Sequence, residues 1–456
     1  MIGVPLDKMR EACGVVAVYT EDIAAPMVHR ALFELQHRGQ EGAGIVSTEV
    51  DGTLHVAKGL GLIADALPYR RIEELPGSNA IGHCRYSTVD PDLSIQPFVA
   101  TTPYGRLAIA HNGNIKNAPE LHSRLESRGA LLSTALDTEL LVHLIAQSQA
   151  PDFPSALRSM AAEAVGAYSL TMICNGRIYA LRDPNGLRPL VLGQLKTGWV
   201  IASETCALDA LHATYVREIE PGELVTIGPE GVEARQLLTP AAPAPCVFEL
   251  VYFSRPNSTV FGQSVNSARI RMGMELAAAD EEAGLEPPDL VIPVPDSGVP
   301  AAIGYSRRSG VLYEKAILRS HYVGRTFILP DQDSRTSQIE LKLSVVKASV
   351  QGLRVMLIDD SIVRGNTSRQ IVQMVRDAGA AEVTMRVASP PLAWPCYLGI
   401  DTPDRDELVI NRAGSVERVA ELIGVEDLRY LSLDGLRRAA GGQDYCRACM
   451  TGEYPV

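Results

Sequence analysis

The sequence predicts two successive units that both mix helices and strands, an α+β unit followed by an α/β unit. In the first half, short apolar runs bounded by turns surround two segments with helical periodicity. In the second half, apolar runs alternate with helical segments, which favours a parallel sheet covered by helices. The segment between them, residues 237–246, is rich in Pro and Ala and uncharged. We therefore place the boundary there, with domains at 13–240 and 241–456.

The elements of each unit follow from these patterns. Helices of the first unit should pack against its sheets, because each sheet must cover an apolar face. The predicted strands of the first unit are CGVVAVYT, LHVAKGLGLI, RLAIAHNG, YSLTMICNGRIYALRD and GWVIASE, and its predicted helices are ELHSRLESRG and TALDTELLVHLIAQS. The second unit has predicted strands in DLVIPVPDSG, LRVMLIDDSIVRGNTS and AEVTMRVAS, with helices at VPAAIGYSRR and SRQIVQMVRDAGA between them.

Composition excludes several classes of protein. The chain has 456 residues, of which 46% are hydrophobic and 21% charged, as expected of a folded globular enzyme. Its net charge of −12 argues against nucleic acid or an anionic membrane as a general partner. No run approaches the roughly 18 apolar residues of a membrane helix, and the first residues lack the apolar core of a secretory signal. We expect a cytoplasmic protein that binds any phosphate locally.

The eight cysteines are not expected to form disulfides in a reducing compartment. Cys174, in the apolar run SLTMIC, and Cys206 are interpreted as core residues, and Cys84, in IGHCRYST, is interpreted as structural. Cys446 and Cys449 have a two-residue spacer that can direct both thiolates at one metal centre. Cys246 and Cys396, in the loops APAPC and LAWPC, could complete such a site only if folding joins distant segments. Spacing alone leaves two alternatives, a shared metal site and scattered structural thiols.

The segment LRVMLIDDSIVRGNTS has the strongest local pattern in the second unit. A buried strand ends at Asp359 and Asp360, and a loop with hydroxyls and a glycine precedes a helix. Backbone N–H groups at a helix start bind phosphate, and paired acids suit sugar hydroxyls or hydrated Mg²⁺. The alternative is an ordinary strand-to-helix turn whose Ser or Thr caps the helix.

A second strand-to-helix junction offers another place for an anion. It carries Asp296, Ser297 and Gly298, so a sugar phosphate with two anionic ends could use both loops. Between the junctions, the polar segment 319–345 contains Arg319, Arg325, Arg335 and Lys342. This segment is long enough for a mobile lid, and a pair of strands with a solvated face is the alternative.

These motifs resemble known families. IDDSIVRGNTS, residues 358–368, resembles the signature of type I phosphoribosyltransferases, which bind 5-phosphoribosyl-1-diphosphate. CGVVAV, HRGQEGAG, GHCRYST, HNGNI and LDTE in the first half resemble class II glutamine amidotransferases. Over nearly the whole chain the sequence is similar to the glutamine phosphoribosylpyrophosphate amidotransferases. ASETCAL, LVYFSRPNS, VPDSG, YVGRTFI and four cysteines match the branch with a propeptide and an iron–sulfur cluster.

For the first unit, the resemblance implies an Ntn-hydrolase αββα sandwich with Cys13 as its nucleophile. An N-terminal Cys can use its own α-amine as the base, whereas a mid-chain amide has no comparable basicity. We therefore expect residues 1–12 to be a propeptide that is removed at Ala12–Cys13. The resemblance assigns Arg85 to the glutamine α-carboxylate and Asp137 to its α-ammonium. It assigns the oxyanion hole to Asn112 and Gly113.

For the second unit, the resemblance implies a phosphoribosyltransferase parallel sheet with Mg²⁺ at the substrate diphosphate. Asp359 and Asp360 would bind the ribose hydroxyls, and they and Ser297 would lie near Mg²⁺. The 5-phosphate is expected at Ser361, Arg364, Gly365, Thr367 and Ser368, and pyrophosphate is expected at Asp296, Ser297, Gly298 and Lys342.

The resemblance also implies one 4Fe–4S cluster on Cys246, Cys396, Cys446 and Cys449, with a zinc site as the alternative. It further implies a homotetramer that purine nucleotides inhibit. Asn257, Cys84 and Leu136 depart from the usual family pattern without removing a catalytic group. A regulatory descendant of such an enzyme would not need the intact catalytic set. A sugar-isomerising aminotransferase would not need the phosphoribosyl loop. The resemblance therefore favours an enzyme that uses glutamine and 5-phosphoribosyl-1-diphosphate to make 5-phosphoribosylamine in purine synthesis.

Overall fold

The computed structural model describes residues 13–85, 95–134, 136–319 and 343–456. The expected propeptide 1–12, Lys342, Arg325 and Arg335 lie outside the described residues. Within the described ranges, no helix has the length and apolar character needed to cross a membrane.

The first unit contains a seven-stranded antiparallel sheet, and Cys13 lies immediately before the first strand of this sheet. The strand order is β11-β9-β10-β1-β4-β2-β3, so β1 lies at the centre. Its strands are β1 (Gly14–Thr20), β2 (Gly42–Thr48), β3 (Leu54–Leu60), β4 (Asn79–Arg85), β9 (Val191–Leu195), β10 (Gly198–Ala202) and β11 (Thr214–Glu218).

A second antiparallel sheet of six strands carries the predicted oxyanion residues on its longest strand. Its order is β13-β12-β8-β7-β6-β5. Its strands are β5 (Phe98–Thr102), β6 (Gly105–Ile115), β7 (Gly166–Cys174), β8 (Arg177–Arg182), β12 (Glu223–Gly228) and β13 (Gly231–Gln236).

The two sheets pack face to face, and helices cover their outer faces. The inner layer is apolar, with Val15, Ala17 and Ile81 of the first sheet against Ala108 and Ile173 of the second. The first sheet is covered by α1 (Ala25–Glu34), α2 (Ile63–Ala66), α3 (Tyr69–Glu73) and α7 (Thr205–Ala210), and the second by α4 (Ala118–Ser127), α5 (Asp137–Gln147) and α6 (Phe153–Glu163). This is the αββα sandwich that the sequence predicts.

The second unit contains a five-stranded parallel sheet of order β17-β16-β20-β21-β22. Before it come a π-helical turn at Glu249–Phe253 and a short antiparallel pair, β14 and β15. The strands of the whole second unit are β14 (Thr259–Val260), β15 (Gln263–Ser264), β16 (Leu290–Pro293), β17 (Leu312–Tyr313), β18 (Ile317–Arg319), β19 (Leu343–Val345), β20 (Arg354–Asp359), β21 (Glu382–Val387) and β22 (Leu428–Tyr430).

Helices cover both faces of this parallel sheet, as predicted. Along β20, Met356 and Ile358 face one apolar cluster and Val355 and Leu357 face the other. The helices are α8 (Val265–Glu282), α9 (Val299–Ser309), α10 (Lys347–Val350), α11 (Asn366–Asp377), α12 (Val409–Ala413), α13 (Val416–Ile423), α14 (Leu433–Ala439) and α15 (Ala448–Thr451).

The ends of the long polar segment are paired with each other. Strands β18 and β19 form an antiparallel pair in which Ile317 faces Val345 and Arg319 faces Leu343. The ends of the segment 319–345 therefore leave and rejoin the unit side by side. Residues 320–342 are outside the described part of the chain, so the lid remains a prediction.

Candidate functional site

Cys13 and Arg85 lie at the same end of the first sheet. In the antiparallel register of β1 with β4, Gly14 lies opposite Cys84. Cys13, which precedes Gly14, is therefore a neighbour of Arg85, which follows Cys84. Gly39 packs against this strand so closely that a β-carbon there would lie 2.5 Å from the Arg85 nitrogen. Burial lowers the pKa of the Arg85 guanidinium, while the charges of Cys13, then Glu41, then Asp137 act in the opposite direction. The structure thus brings together three of the predicted glutamine-site residues.

Asp137 is held at the start of its helix by two neighbours. Its Oδ2 accepts a hydrogen bond from the Ile115 N–H at 3.0 Å, and its Oδ1 lies 3.3 Å from His111 Nδ1. Burial alone would raise the pKa of Asp137, but the charge of His111 and its hydrogen bond outweigh burial and lower it. For the same reason the pKa of His111 is raised despite burial. Asp137 is therefore an anchored anion, as a receptor for an ammonium group must be.

The Asn112 side chain is fully buried, and both of its polar atoms lack a hydrogen-bond partner among the described residues. A buried unpaired amide costs free energy, so such a group calls for a functional explanation. The next residue, Gly113, has φ +148°, and a β-carbon there would lie 2.0 Å from the Ala167 oxygen. Only glycine fits this position, because the backbone of the neighbouring strand occupies the place of a β-carbon.

A loop of the second unit packs on this glycine. A β-carbon on Gly399 would lie 2.8 Å from the Gly113 carbonyl carbon, so the two backbones are in direct contact. Asn114 Nδ2 donates to the Tyr397 oxygen at 2.9 Å, and Arg188 Nη2 donates to the Leu398 oxygen at 2.9 Å. The predicted oxyanion site is therefore built by both units.

The predicted ribose and phosphate residues cluster at the carboxyl end of β20. Asp359, Asp360 and Ser361 are almost fully buried, and the Ser361 hydroxyl donates to Asp360 Oδ1 at 2.6 Å. The loop then turns at Gly365, whose φ of +85° favours glycine, into the helix that begins at Asn366. The N–H groups at a helix start are a general binding place for phosphate, and the cradle at this one stays a prediction.

Other members of the predicted set lie around this loop. Thr367 and Ser368, in the first turn of that helix, are buried. Arg364 instead pairs with Glu407 at 2.5 Å on a partly exposed surface. The predicted phosphate contact of Arg364 stays a prediction.

The second anion loop lies beside the first. Strands β16 and β20 are parallel neighbours, with Pro293 opposite Ile358, so their carboxyl ends share one edge of the sheet. A β-carbon on Gly298 would lie 2.2 Å from the Ile358 oxygen, which requires glycine at this approach. Asp296 is half exposed, with Arg319 Nη1 3.5 Å and Lys315 Nζ 3.8 Å from its carboxylate. The structure thus places the two predicted loops, including Ser297, around a common edge.

The four candidate metal cysteines converge from three distant segments. Cys246 and Cys446 form a parallel β-bridge, with the Val247 N–H donating to the Cys446 oxygen at 3.2 Å. The Cys449 oxygen accepts hydrogen bonds from the N–H groups of Ala393 and Trp394, just before Cys396. None of the eight cysteines, all of which lie within the described residues, is disulfide-bonded in the structure.

The thiols of this cysteine group influence one another. Burial raises the pKa of Cys246 to about 12 and that of Cys446 to about 11, and neighbouring cysteines add to each shift. Burial also raises the pKa of Cys449, with Cys246, Cys396 and Cys446 contributing in that order. Within the described ranges, no three His, Cys, Asp or Glu side chains are grouped to hold a single metal ion. The electrostatic effect of Cys246, Cys396 and Cys446 on Cys449 shows that the four thiols lie near one another.

Comparisons with known proteins place this geometry in a family. A model of the glutamine amidotransferase domain matches residues 83–210. Amidophosphoribosyltransferase 1 of Arabidopsis thaliana, described as chloroplastic, is 46% identical over 99% of this chain and 80% of its own length. The amidophosphoribosyltransferase of Bacillus subtilis is 41% identical over 98% of this chain and 95% of its own length.

The chain belongs to the amidophosphoribosyltransferase family.

A solved structure shows the same family fold. The glutamine phosphoribosylpyrophosphate amidotransferase of B. subtilis, complexed with ADP and GMP, matches with a TM-score of 0.91 and 42% identity over 97% of each chain. As a member of this family, the chain is a glutamine-dependent pentosyltransferase with an N-terminal amidotransferase unit and a phosphoribosyltransferase unit. The predicted fold class and enzyme class are both confirmed.

Several residues that support the amidotransferase site were not singled out by sequence. His111 lies inside the HNGNI motif, but nothing in the motif distinguishes it from its neighbours as the partner of Asp137. Arg38, inside HRGQEGAG, donates from Nε to the Cys13 oxygen at 3.2 Å. Glu249 stands alone as a charge in the apolar run CVFELVYF. A lone charge in such a run signals a buried pair, but it does not identify the partner.

The contact between Gly399 and Gly113 generates a first prediction. Gly399→Ala should lower glutamine-dependent activity by roughly 100-fold, because a displaced Gly113 backbone misplaces the oxyanion donors. Synthesis from ammonia should be retained, since the phosphoribosyl loops are untouched. Both activities are measured by pyrophosphate release.

Gly414→Ala is the matched control for this substitution. Gly414 also has a positive φ, of +83°, but a β-carbon there meets nothing within 4 Å. It therefore carries the backbone strain without the clash. Equal losses in the two variants would show that strain alone explains the effect and that the Gly399 contact is unimportant.

Proposed function

We propose that this chain makes 5-phosphoribosylamine by releasing ammonia from glutamine at Cys13 and delivering it to 5-phosphoribosyl-1-diphosphate. The α-amine of Cys13 takes the thiol proton as the sulfur attacks the side-chain amide, and it passes that proton to the departing nitrogen, so that the C–N bond breaks, ammonia leaves and a thioester remains. Water then hydrolyses the thioester to glutamate. Ammonia attacks C1 of the phosphoribosyl group and displaces pyrophosphate, with inversion expected. Ammonia must pass between the sites unprotonated, because ammonium is not a nucleophile.

The observation that carries this proposal is the unpartnered Asn112 amide beside Gly113. A tetrahedral intermediate at the Cys13 thioester bears a negative oxygen that needs hydrogen-bond donors. The Asn112 Nδ2 is buried and has no partner among the described residues, so it is available for such an oxygen. The adjacent Gly113 N–H supplies the second donor of the proposed oxyanion hole.

Glutamine would be oriented by the charges at either side of this hole. The planar Arg85 guanidinium suits the α-carboxylate, since it can donate two parallel hydrogen bonds. The Asp137 carboxylate suits the α-ammonium. Support comes from the electrostatic proximity of Arg85 to both Cys13 and Asp137.

The phosphoribosyl substrate would lie along the shared edge of β16 and β20. We assign the ribose hydroxyls to Asp359 and Asp360, the 5-phosphate to the loop from Ser361 to Ser368, and pyrophosphate to the Asp296–Gly298 loop. Lys342 would contact the same pyrophosphate from the 319–345 segment. The oxygen donors of Asp359, Asp360 and Ser297 suit Mg²⁺, which commonly binds one or two carboxylates together with substrate phosphates. Mg²⁺ bound there would neutralise charge on the diphosphate.

We assign a 4Fe–4S cluster to Cys246, Cys396, Cys446 and Cys449, with zinc as the alternative. Four soft sulfur donors suit both. The electrostatic effect of the other three cysteines on Cys449 supports one site that the four share, and the family resemblance of the chain favours the cluster. The Leu398 N–H donates to the Cys396 sulfur at 3.4 Å, a contact of the kind that tunes cluster thiolates. The cluster would be structural and would join the carboxyl end to the linker.

The regulation of this enzyme is proposed by analogy with the B. subtilis relative. The B. subtilis structure contains ADP and GMP, which supports inhibition of this enzyme by purine nucleotides. We also propose that the protein is a homotetramer, that its two domains meet near residue 240, and that it is cytoplasmic. The plant relatives described as chloroplastic show that the compartment differs within the family.

Cys13→Ala tests the two-stage mechanism. It should abolish glutamine-dependent synthesis and retain synthesis from high external ammonia, because only the first stage uses the thiol. Pyrophosphate release with each nitrogen donor is the measurement, and Cys174→Ala, at a buried thiol in the core of the first unit, serves as the control. Equal loss of both activities in Cys13→Ala would show that the two sites are not separable.

Removal of the leader is a separate prediction. Active enzyme should begin at Cys13 by mass spectrometry, because only a terminal Cys has an α-amine to act as its base. If cleavage is autocatalytic, Cys13→Ala should keep residues 1–12. Fully active protein that still begins at Met1 would contradict the proposed nucleophile.

The metal assignment is tested by composition rather than activity. Purified protein should contain iron and acid-labile sulfide and absorb as an iron–sulfur protein, and Cys449→Ser should lose these. Cys174→Ser, in the core of the first unit, should keep them. Zinc without iron in the unaltered protein would replace the cluster with a mononuclear site.

A further inference from the structure

Four charged side chains are buried together where the two units meet, and the mechanism above uses none of them. Arg38 and Arg188 are 1% exposed, and Glu204 and Glu249 are fully buried. Three of them belong to the amidotransferase unit, but Glu249 begins the π-helical turn that follows the linker. Buried charges of this kind persist only when each is paired and hydrogen-bonded.

Arg38 is the centre of this group and reaches the backbone of the nucleophile. Its Nε donates to the Cys13 oxygen at 3.2 Å. Its Nη1 donates to Glu204 at 2.6 Å and to Glu249 at 2.9 Å, and its Nη2 donates to Glu249 at 2.7 Å. A guanidinium is rigid and planar, so its Nε cannot hold its direction if the partners of its other nitrogens move.

Glu249 is the stronger of the two partners. Burial would lower the pKa of Arg38, but the charge of Glu249 and then that of Glu204 outweigh it and raise the pKa well above its usual value. Glu249 is itself fixed by the Ser254 hydroxyl at 2.7 Å and by Arg188 Nη1 at 3.2 Å. Arg188 continues to the Leu398 oxygen, in the loop that packs on Gly113.

The turn that carries Glu249 is also tied to the phosphoribosyl site. Arg269 is buried and donates to the Leu250 oxygen and the Ser254 oxygen, both at 2.8 Å. Burial lowers the pKa of Arg269 to about 10, and Asp360 is the first of the acids that oppose this shift. Arg269 therefore stays charged at neutral pH and lies within the field of a predicted ribose-binding acid.

We propose that Glu249 is a positioning residue for Cys13: it holds Arg38, which fixes the Cys13 carbonyl and so the placement of the thiol and α-amine. The inference rests on the proposed role of Cys13. Because Glu249 comes from the segment after the linker, the geometry of glutamine cleavage depends on how the second unit is seated. Within the described residues, Glu204 of the amidotransferase unit binds only Nη1 of Arg38, and Nη2 is held by Glu249.

Glu249→Gln is the decisive variant, since it keeps the shape of the side chain and removes its charge. It leaves Arg38 with Glu204 as its carboxylate partner, so the guanidinium should shift away from Cys13. We expect the kcat for glutamine cleavage to fall about 10- to 100-fold, as misplacement by about 1 Å can do. The KM for glutamine should change less than about twofold, because Arg85 and Asp137 are unaltered. Ammonia-dependent synthesis should be retained.

Glu223→Gln is the matched control. Glu223 is also buried and makes two hydrogen bonds of 2.7 Å to a guanidinium, that of Arg217, but it has no contact with Cys13 or Arg38. If the effect of Glu249→Gln only reflects a lost buried ion pair, the control should show the same fall in kcat. The inference requires the control to keep the kcat for glutamine.

Two further variants keep the outcomes distinct. Ser254→Ala removes one hydrogen bond from Glu249 and should lower the kcat in the same direction but less; it provides the test if Glu249→Gln does not fold. A normal kcat in folded Glu249→Gln, or equal loss of its ammonia-dependent activity, would overturn the inference. If Cys13→Ala itself keeps glutamine use, the proposed function fails instead.

Discussion

The buried Arg38 guanidinium is the constraint on which the junction of the two units depends. It is satisfied by one carboxylate from each side, Glu204 of the sandwich and Glu249 of the segment beyond the linker. Removing either side would leave a charge uncompensated in the dry interior, a change that typically costs about 3–5 kcal/mol. The sandwich alone therefore lacks one of the carboxylates that neutralise its buried arginines. Since Arg38 also donates to the Cys13 oxygen, the packing of the second unit is coupled to the backbone of Cys13.

The second unit depends on a different and simpler constraint. Parallel strands end at a common edge, so loops that are far apart in sequence meet there without any specific contact between them. Pro293 lies opposite Ile358, and Gly298 is pressed against the Ile358 oxygen. Acids and hydroxyls at the two strand ends consequently surround one space. A substrate with phosphate groups at both ends fits this arrangement.

Local patterns predicted the elements well, whereas partnerships between distant residues were not accessible to them. The strand that ends at Asp359 and the helix that follows could be placed from apolar periodicity and a glycine, because these are short-range properties. The pair Arg38 and Glu249 is separated by 211 residues. Periodicity contains no signal for such a pair, except that Glu249 is an acid in an otherwise apolar run. Spacing likewise left two alternatives for the cysteines, a shared metal site and scattered structural thiols, because it contains no signal that their three segments meet in the fold.

The cysteine site and the oxyanion site are joined through one short loop. Cys396 begins it, Leu398 is held by Arg188, and Gly399 touches Gly113. A cluster bound by the four thiols would fix the start of this loop to the linker and to the carboxyl end of the chain. The loop is then held at two points, by metal ligation and by Arg188. The proposed structural cluster would thereby position the backbone of the proposed oxyanion hole, which gives such a cluster a physical reason to lie at this place in the fold.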